Sequence, residues 1–495
     1  MRPSATPIFA RRGSRPVPST TCTSSMIRSS IASLLKRLDS PSMTKKRTFV
    51  NARPVRLLFP WSLATFTTLH LVSGAAALGE VPHWSRLLAP LTTARENGTA
   101  ELLATASWLE AELQQAGWEV ATQWYQAYPY EQRALGLLLL LGGSVYAVCM
   151  WTRRFGTATC LALLLPLLVV LQMELRVPLT WFLAFRQPNV AARLPNPEAK
   201  ELLLFSAHFD TKTDLLDHVA RAPILAFAAP AVVIMAAIAA GSFVAHQAGN
   251  LSPGRATLAR IAGWMGVLYG AALAAVFTGG ALRAQRSPGA LDDGAACAVL
   301  VRLAHELAAA APRAVEVQLV FFSGEELAVQ GATAFLRAWD PPPGRTLRLV
   351  NLDPIGASAD LQVLGSERAF LRGYAPSTEV VGLLDRAHRK LRGSSLPVAE
   401  VVGLTDAWTW LRHGYRAATL LSAVPPFVIP RGLHSVEDNS NRVDLPSLDF
   451  ALQLLRTVVA IADDEAGGAA ARGAETSARR DPSSLKEARV WIAGA

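Results

Sequence analysis

Residues 315–327 read VEVQLVFFSGEEL. The apolar stretch at its start predicts a buried strand. The chain leaves that strand through Ser323 and Gly324 into two adjacent carboxylates, Glu325 and Glu326. Neighbouring carboxylates repel each other, so a pair at the end of a buried strand needs compensation. A helix N-terminus supplies one kind, because its dipole favours acidic side chains in the first turn. A divalent metal supplies another: one carboxylate binds the ion while its neighbour takes a proton from a metal-bound water. The dipeptide alone does not choose between them.

Four further segments end an apolar run in a metal-compatible side chain. LLLFSAHFD (202–210) presents His208 and Asp210, and SPGALDDGAA (287–296) presents Asp292 and Asp293. LRLVNLDPIG (347–356) presents Asp353, and IPRGLHSVEDN (429–439) presents His434. Imidazole and carboxylate together suit zinc without any cysteine. Two residues apart on a strand, His208 and Asp210 share one face, so the carboxylate is expected to hold the imidazole and fix its tautomer. Each motif alone is weak, since H-x-D is commonly a surface pair and LDD a helix cap. The ordered set is hard to reach by accident.

That order, His-x-Asp, PGA-x-Asp-Asp, Glu-Glu, Asp and His, resembles the co-catalytic zinc aminopeptidase family, which includes the glutaminyl cyclases. The resemblance covers roughly residues 99–128 and 187–465. It implies an α/β zinc exopeptidase fold, a mixed central β-sheet flanked by helices, and zinc as cofactor, as two ions. Carried over position by position, Asp292 bridges the metals, His208 and Asp353 complete one site, and Glu326 and His434 complete the other. Glu325 is the general base, with Asp210 beside it in the catalytic set. GLTDAWTW (403–410) resembles the family's later Asp-containing loop, making Asp406 a candidate for contact with the substrate amine or for support of a ligand. The chain departs from the pattern after Asp293, where Gly294, Ala295 and Ala296 keep small residues but not the usual Ser-Gly. DPIGA (353–357) and HSVEDN (434–439) look more like glutaminyl cyclases, but those carry Trp before the last His, where this chain has Leu433. The resemblance therefore implies an aminopeptidase acting on a peptide with a free N-terminus. Glutaminyl-peptide cyclotransferase is the alternative, and a receptor-like module without catalysis a third reading that the full ligand set opposes.

The rest of the composition points to lipid. The 495 residues are 51% hydrophobic, with a mean hydropathy of +0.26. Runs at 57–78, 134–151, 156–173, 222–245 and 261–282 lack Asp, Glu, Lys and Arg. Each is about long enough to cross a bilayer. The first could also be a signal segment, since AAALGE resembles a cleavage site. The hairpin 134–173 falls between an amphipathic segment (101–120) and the strand-like NVAARLP, and the hairpin 222–282 falls between His208 and Asp292. Paired crossings return the chain to the side it left, so the enzyme is expected to assemble on one side, as a peptidase domain over 79–465 interrupted by two anchors. Spans without ionisable groups argue against a transporter.

Charge sets the expected sidedness. Residues 1–56 hold 12 Lys and Arg against one acid, Asp39, so the net charge of +10 belongs to this leader and the remainder is near neutral. A nucleic-acid surface is therefore not expected. The leader is Ser-, Arg- and Pro-rich and expected to be disordered, as is the tail 466–495. Arg153 and Arg154 in one hairpin turn, and Arg255 and Arg260 at the other, mark the cytoplasmic side, which places the catalytic domain outside it. Four cysteines make no disulfide scaffold. Asn97-Gly-Thr fits a glycosylation sequon, which the sequence alone gives no reason to assign.

Overall fold

The computed structural model describes residues 83–480, apart from positions 176, 370, 426 and 427. The basic leader and the apolar run 57–78 lie outside the described residues. The chain opens with a short helix α1 (Trp84–Leu88) and α2 (Ala100–Gln115). Thr99 caps α2 by accepting the Leu102 N–H, and Leu102, Ala106, Leu109 and Leu113 form its buried stripe. Strand β1 (Glu119–Ala127) follows, then the first hairpin, α3 (Glu131–Trp151) and α4 (Phe155–Leu175). After β2 (Phe185–Leu194) and β3 (Glu201–His208) comes the second, α5 (His218–Ala226), α6 (Ala228–Gln247) and α7 (Pro253–Thr278). A tight turn, Ala290–Gly294, leads into α8 (Ala295–Ala309). Then come β4 (Val315–Phe322), α9 (Gln330–Ala338), β5 (Thr346–Leu352), β6 (Leu361–Ala369) and β7 (Arg372–Tyr374). The chain ends with α10 (Thr378–Arg392), β8 (Val398–Gly403), α11 (Asp406–Arg412), β9 (Arg416–Ser422) and α12 (Leu445–Arg480).

The nine strands form one mixed sheet in the order β1-β2-β4-β3-β5-β9-β6-β7, with β8 beside β6. β4, β3, β5 and β9 run parallel; β1 and β2 join antiparallel at one side. Every residue of β3 and β4 is buried, as expected for strands covered on both faces. One face carries α1, α2, α8, α10 and α12 over a core that includes Leu203, Leu319 and Val350. The other carries α9 and α11, whose Phe335 and Trp410 pack with Trp339 and Phe322. The register sets His208 of β3 opposite Phe322 of β4, so the parallel strands end together. Ligand sites in such sheets sit beyond these carboxyl ends.

Five described helical segments are long and apolar enough to cross a membrane: Glu131–Trp151, Phe155–Gln172, His218–Gln247, Pro253–Leu282 and Leu445–Gly468. The last belongs to the core instead. Leu448, Leu452, Leu455, Val459 and Ala462 of α12 are buried in the cluster that also holds α8 and α10. α12 continues to Arg480, past the expected start of the tail at 466. Ala-rich sequence favours that continuation.

The other four form a bundle of different construction. α3 and α7 are antiparallel. An added Cβ at Gly136 would meet Thr278 and Phe277, and one at Gly143 would lie 2.3 Å from the Gly266 carbonyl oxygen. Farther along, Trp151 Nε1 donates to the Arg260 carbonyl. Small residues at such crossings let backbones approach, the usual basis of helix association in lipid. Ala158 and Ala162 of α4 pack with Ala236 and Ala239 of α6. The outer faces are apolar and uncovered: Leu141 is 62% exposed and Leu168 60%. The contacts of Trp151 with Arg260 and Trp264 bring the two hairpin turns, and their arginines, to one end of the bundle. The sheet lies at the other.

Candidate metal centre

Each site residue sits where an element ends. His208 is the last residue of β3, Glu325 and Glu326 follow β4, and Asp353 follows β5. Asp292 lies in the turn before α8, and His434 in the connection after β9, with a left-handed φ of 60°. The Asp292-Asp293 and Asp353-Pro354 peptides are cis.

These five ligand candidates converge. Asp292 Oδ1 lies 3.0 Å from His208 Nε2, and its Oδ2 lies 3.1 Å from His434 Nε2. Asp353 Oδ1 is 3.9 Å from His208 Nε2, and Glu326 Oε1 is 2.8 Å from His434 Nε2. Two three-residue groups result, His208 with Asp292 and Asp353, and Asp292 with Glu326 and His434, each with its ligand atoms within 4.8 Å of one another. The two share Asp292, one oxygen facing each.

The chemistry of this donor set fits zinc. Both imidazoles are held through Nδ1, leaving Nε2 aimed at carboxylate oxygens. His208 Nδ1 is 3.1 Å from the Asp210 carbonyl, and His434 Nδ1 is 2.8 Å from Asp214 Oδ2. A neutral imidazole held this way presents a lone pair to those oxygens, which only a proton or a cation reconciles. Glu326 Oε1 is buried and has no donor other than the one His434 Nε2 would supply if protonated. With Glu325, the three ligand carboxylates sum to four negative charges in a buried space, and two dications balance them.

Electrostatics without the metal report the same crowding. Burial, reinforced by Asp353, Glu326 and Asp406, pushes the Glu325 carboxyl well above its usual range. Burial does the same to Asp353, helped by Asp292 and Asp406. For His208, burial opposes the charged form, but Asp210, Asp292, Glu325 and Asp353 outweigh it and raise its pKa. For Asp292 burial is again opposed, here by hydrogen bonds from His208 and His434, and its pKa falls.

Asp210 departs from the expected strand geometry. β3 stops at His208, so Asp210 lies beyond the strand. Its carbonyl approaches His208 Nδ1 more closely than its carboxylate, whose Oδ1 is 3.5 Å away. The carboxylate also accepts the N–H groups of Glu325 and Glu326, each at 3.1 Å, and the Asn97 amide at 2.7 Å. Asp210 thus fixes the Glu-Glu turn. Asn97 of the sequon is engaged inside the protein by Asp210 and Gln187. Asp406, at the start of α11, is buried with no hydrogen-bond partner on either carboxylate oxygen, and burial leads the causes that raise its pKa.

Three supporting residues escaped the sequence reading. Asp214 holds His434, and Lys212, His434 and Arg221 together lower its pKa against the effect of burial. Asp438 accepts the N–H groups of Leu291 and Asp292, and burial with Asp292 pushes its carboxyl up to about 7. Arg95 is fully buried and donates to the carbonyls of Leu91, Thr93, Phe209, Pro288 and Gly289, tying the end of β3 to the Asp292 turn. The first two lie four residues after a named site residue, in HFDTKTD and HSVEDN. Arg95 offers no comparable signal.

No curated protein matches the chain at a significant level. Among solved structures, the chain is similar to the LapA aminopeptidase of Legionella pneumophila, with 12% identity over 76% of this chain and 70% of that one, TM-score 0.43. It is similar to a glutaminyl cyclase of Macrostomum lignano, with 16% identity over 77% and 89%, TM-score 0.42. A Zn-dependent exopeptidase of Parabacteroides distasonis gives 15% identity over 77% and 99%, TM-score 0.42. The model of peptidase family M28 matches residues 271–459, a span that holds Asp292, Glu325, Glu326, Asp353, Asp406 and His434. Over that span the chain is similar to peptidase family M28.

Proposed function

We propose that this metallopeptidase-type chain is a membrane-anchored, zinc-dependent aminopeptidase that removes N-terminal residues from peptides. The observation that carries the reading is the division of Asp292, one oxygen toward each of two histidine-carboxylate groups, with Glu325 adjacent in sequence to a ligand. In this reading His208, Asp292 and Asp353 hold one ion, and Asp292, Glu326 and His434 hold the other. Zinc, when bound, polarises the scissile carbonyl and lowers the pKa of the attacking water.

The chain's own groups do the rest. Glu325 accepts the water proton and returns it to the departing amine. Burial and the neighbouring carboxylates raise its proton affinity, which suits a group that takes a proton and gives it back. Asp210 fixes the backbone of the Glu-Glu turn, and therefore where Glu325 points. Asp406, buried without a partner, offers a carboxylate to the ammonium of the substrate. The anchors are the hairpins α3–α4 and α5–α7. Their outward leucines and arginine-bearing turns support a bilayer location with the catalytic domain on the extracytoplasmic side.

The cyclase reading rests on DPIGA and HSVEDN, and Leu433 opposes it. Incubating Leu-peptides and Gln-peptides separately with the detergent-purified, zinc-loaded protein tests both. Release of free amino acid from Leu-peptides supports the aminopeptidase. Ammonia from Gln-peptides, without free amino acid, supports the cyclase and overturns the proposal.

A further inference from the structure

A cavity of about 260 Å3 opens beside Glu326 and Asp214. Its opposite wall comes from the apolar helices: Gln132 and Arg133 in the first turn of α3, and Phe277 and Thr278 in the last turn of α7. The two walls are built together. Gln132 donates to the Glu326 carbonyl at 2.8 Å. Past the end of α7, a Cβ at Gly280 would lie 1.7 Å from the Thr213 carbonyl oxygen, next to Asp214, which holds His434. The uncharged stretch of α3 begins at Ala134, one residue after this wall.

The rim has the composition of a membrane interface. Trp181 is 71% exposed, Phe182 65% and Leu282 83%. Phe185 packs edge-on against Tyr130, which also lines the cavity, with ring centroids 5.8 Å apart. Trp and Tyr beside apolar helix ends are residues that settle at the headgroup level, and Trp181 and Tyr130 stand here. Arg133 lies over the Tyr130 ring at 5.6 Å and, among the described residues, pairs with no carboxylate. Its donors are left for a ligand's carbonyl oxygens. The volume lies just below that of most ligand sites, roughly 300–1,000 Å3, so it suits the first residues of an extended chain and not a folded partner.

Building on the aminopeptidase reading, we propose that this cavity is the substrate cleft and that its occupant is the N-terminal end of a polypeptide held at the bilayer surface. The ammonium end reaches the metal centre past Glu326. The following residues run between Arg133 and Phe277 toward the aromatic rim. The membrane hairpins are then part of the substrate site as well as anchors.

The test uses the full chain in nanodiscs with zinc. One peptide with a free N-terminus is supplied either in solution or through a C-terminal acyl chain in the same discs. An aminoacyl anilide serves as a substrate too short to fill the cleft. Arg133→Glu and Phe277→Ser are each expected to lower kcat/KM for the anchored peptide about tenfold further than for the anilide. The double variant Trp181→Ser/Phe182→Ser is expected to reduce the preference for anchored over free peptide about fivefold. Equal losses on peptide and anilide overturn the proposal, as does an unchanged preference in the double variant. Competition by a soluble short-chain phospholipid also overturns it, reassigning the cleft to a headgroup. If the parent cleaves nothing, the aminopeptidase reading fails separately. Binding of a labelled anchored peptide then decides the cleft, with about tenfold weaker binding to the Arg133→Glu protein supporting it and equal binding overturning it.

Discussion

Leu203 in β3 and Leu168 in α4 are the same side chain in opposite surroundings. Leu203 is fully buried between the sheet and its helices, whereas Leu168 is 60% exposed on the outside of the bundle. The sheet places its leucines inward and converges its carboxylates and imidazoles at the strand ends. The bundle places alanines and glycines inward and leucines outward, with no acid or base in its central turns. One region has the apolar core of a sheet enzyme; the other consists of helices long and apolar enough to cross a membrane, where packing of small residues would replace hydrophobic burial. The first turn of α3 lies against Glu326 of the metal centre, so the two regions meet within one helical turn.

The largest effect should come from the chemistry of the sheet end. Glu325→Gln is expected to keep its metal and lose about 10²–10⁴-fold in turnover. Metal analysis beside aminoacyl-substrate kinetics checks it, and a parental rate would remove Glu325 from its role. Next, Leu203→Ala should cost about 2–5 kcal/mol of stability through the cavity it leaves, read as a fall in the denaturation midpoint. Asp214→Ala should weaken zinc binding about 10–100-fold by freeing His434 Nδ1, measured by chelator competition. Smallest, Leu168→Ala should cost well under about 1 kcal/mol, since Leu and Ala differ little at a lipid-facing position. A loss equal to that of Leu203→Ala would mean that the outer face of α4 is packed against protein, and would break the contrast between the two regions.

The legible parts of the molecule are those whose physics is local. Long runs without charge marked both hairpins, and the positions of those runs between motifs marked them as insertions. Strand ends carrying His or carboxylate marked the centre, since each motif spans only a few residues. What holds the centre together was not local. Asp214 reaches His434 across 220 positions, and Asp438 reaches the Leu291 amide across 147. Such pairs are ordinary acids until the fold joins them. Asp210 was identified, but its part changed. Alternation along β3 predicted a carboxylate-imidazole contact; the chain turned off the strand first, so that contact is long, 3.5 Å, and the carboxylate also accepts the Glu-Glu amides. The close crossing of α3 and α7 was also hidden, because a glycine in an apolar run does not say which carbonyl it faces.

The central claim is that five separated segments build one two-metal site sharing Asp292. Its most direct test is the zinc content of detergent-purified protein, compared between the parent, His434→Ala and Asp292→Ala. Two tightly held ions are expected per parent chain, one in His434→Ala and neither in Asp292→Ala. Zinc content that is negligible in the parent, or unchanged in both variants, would contradict it.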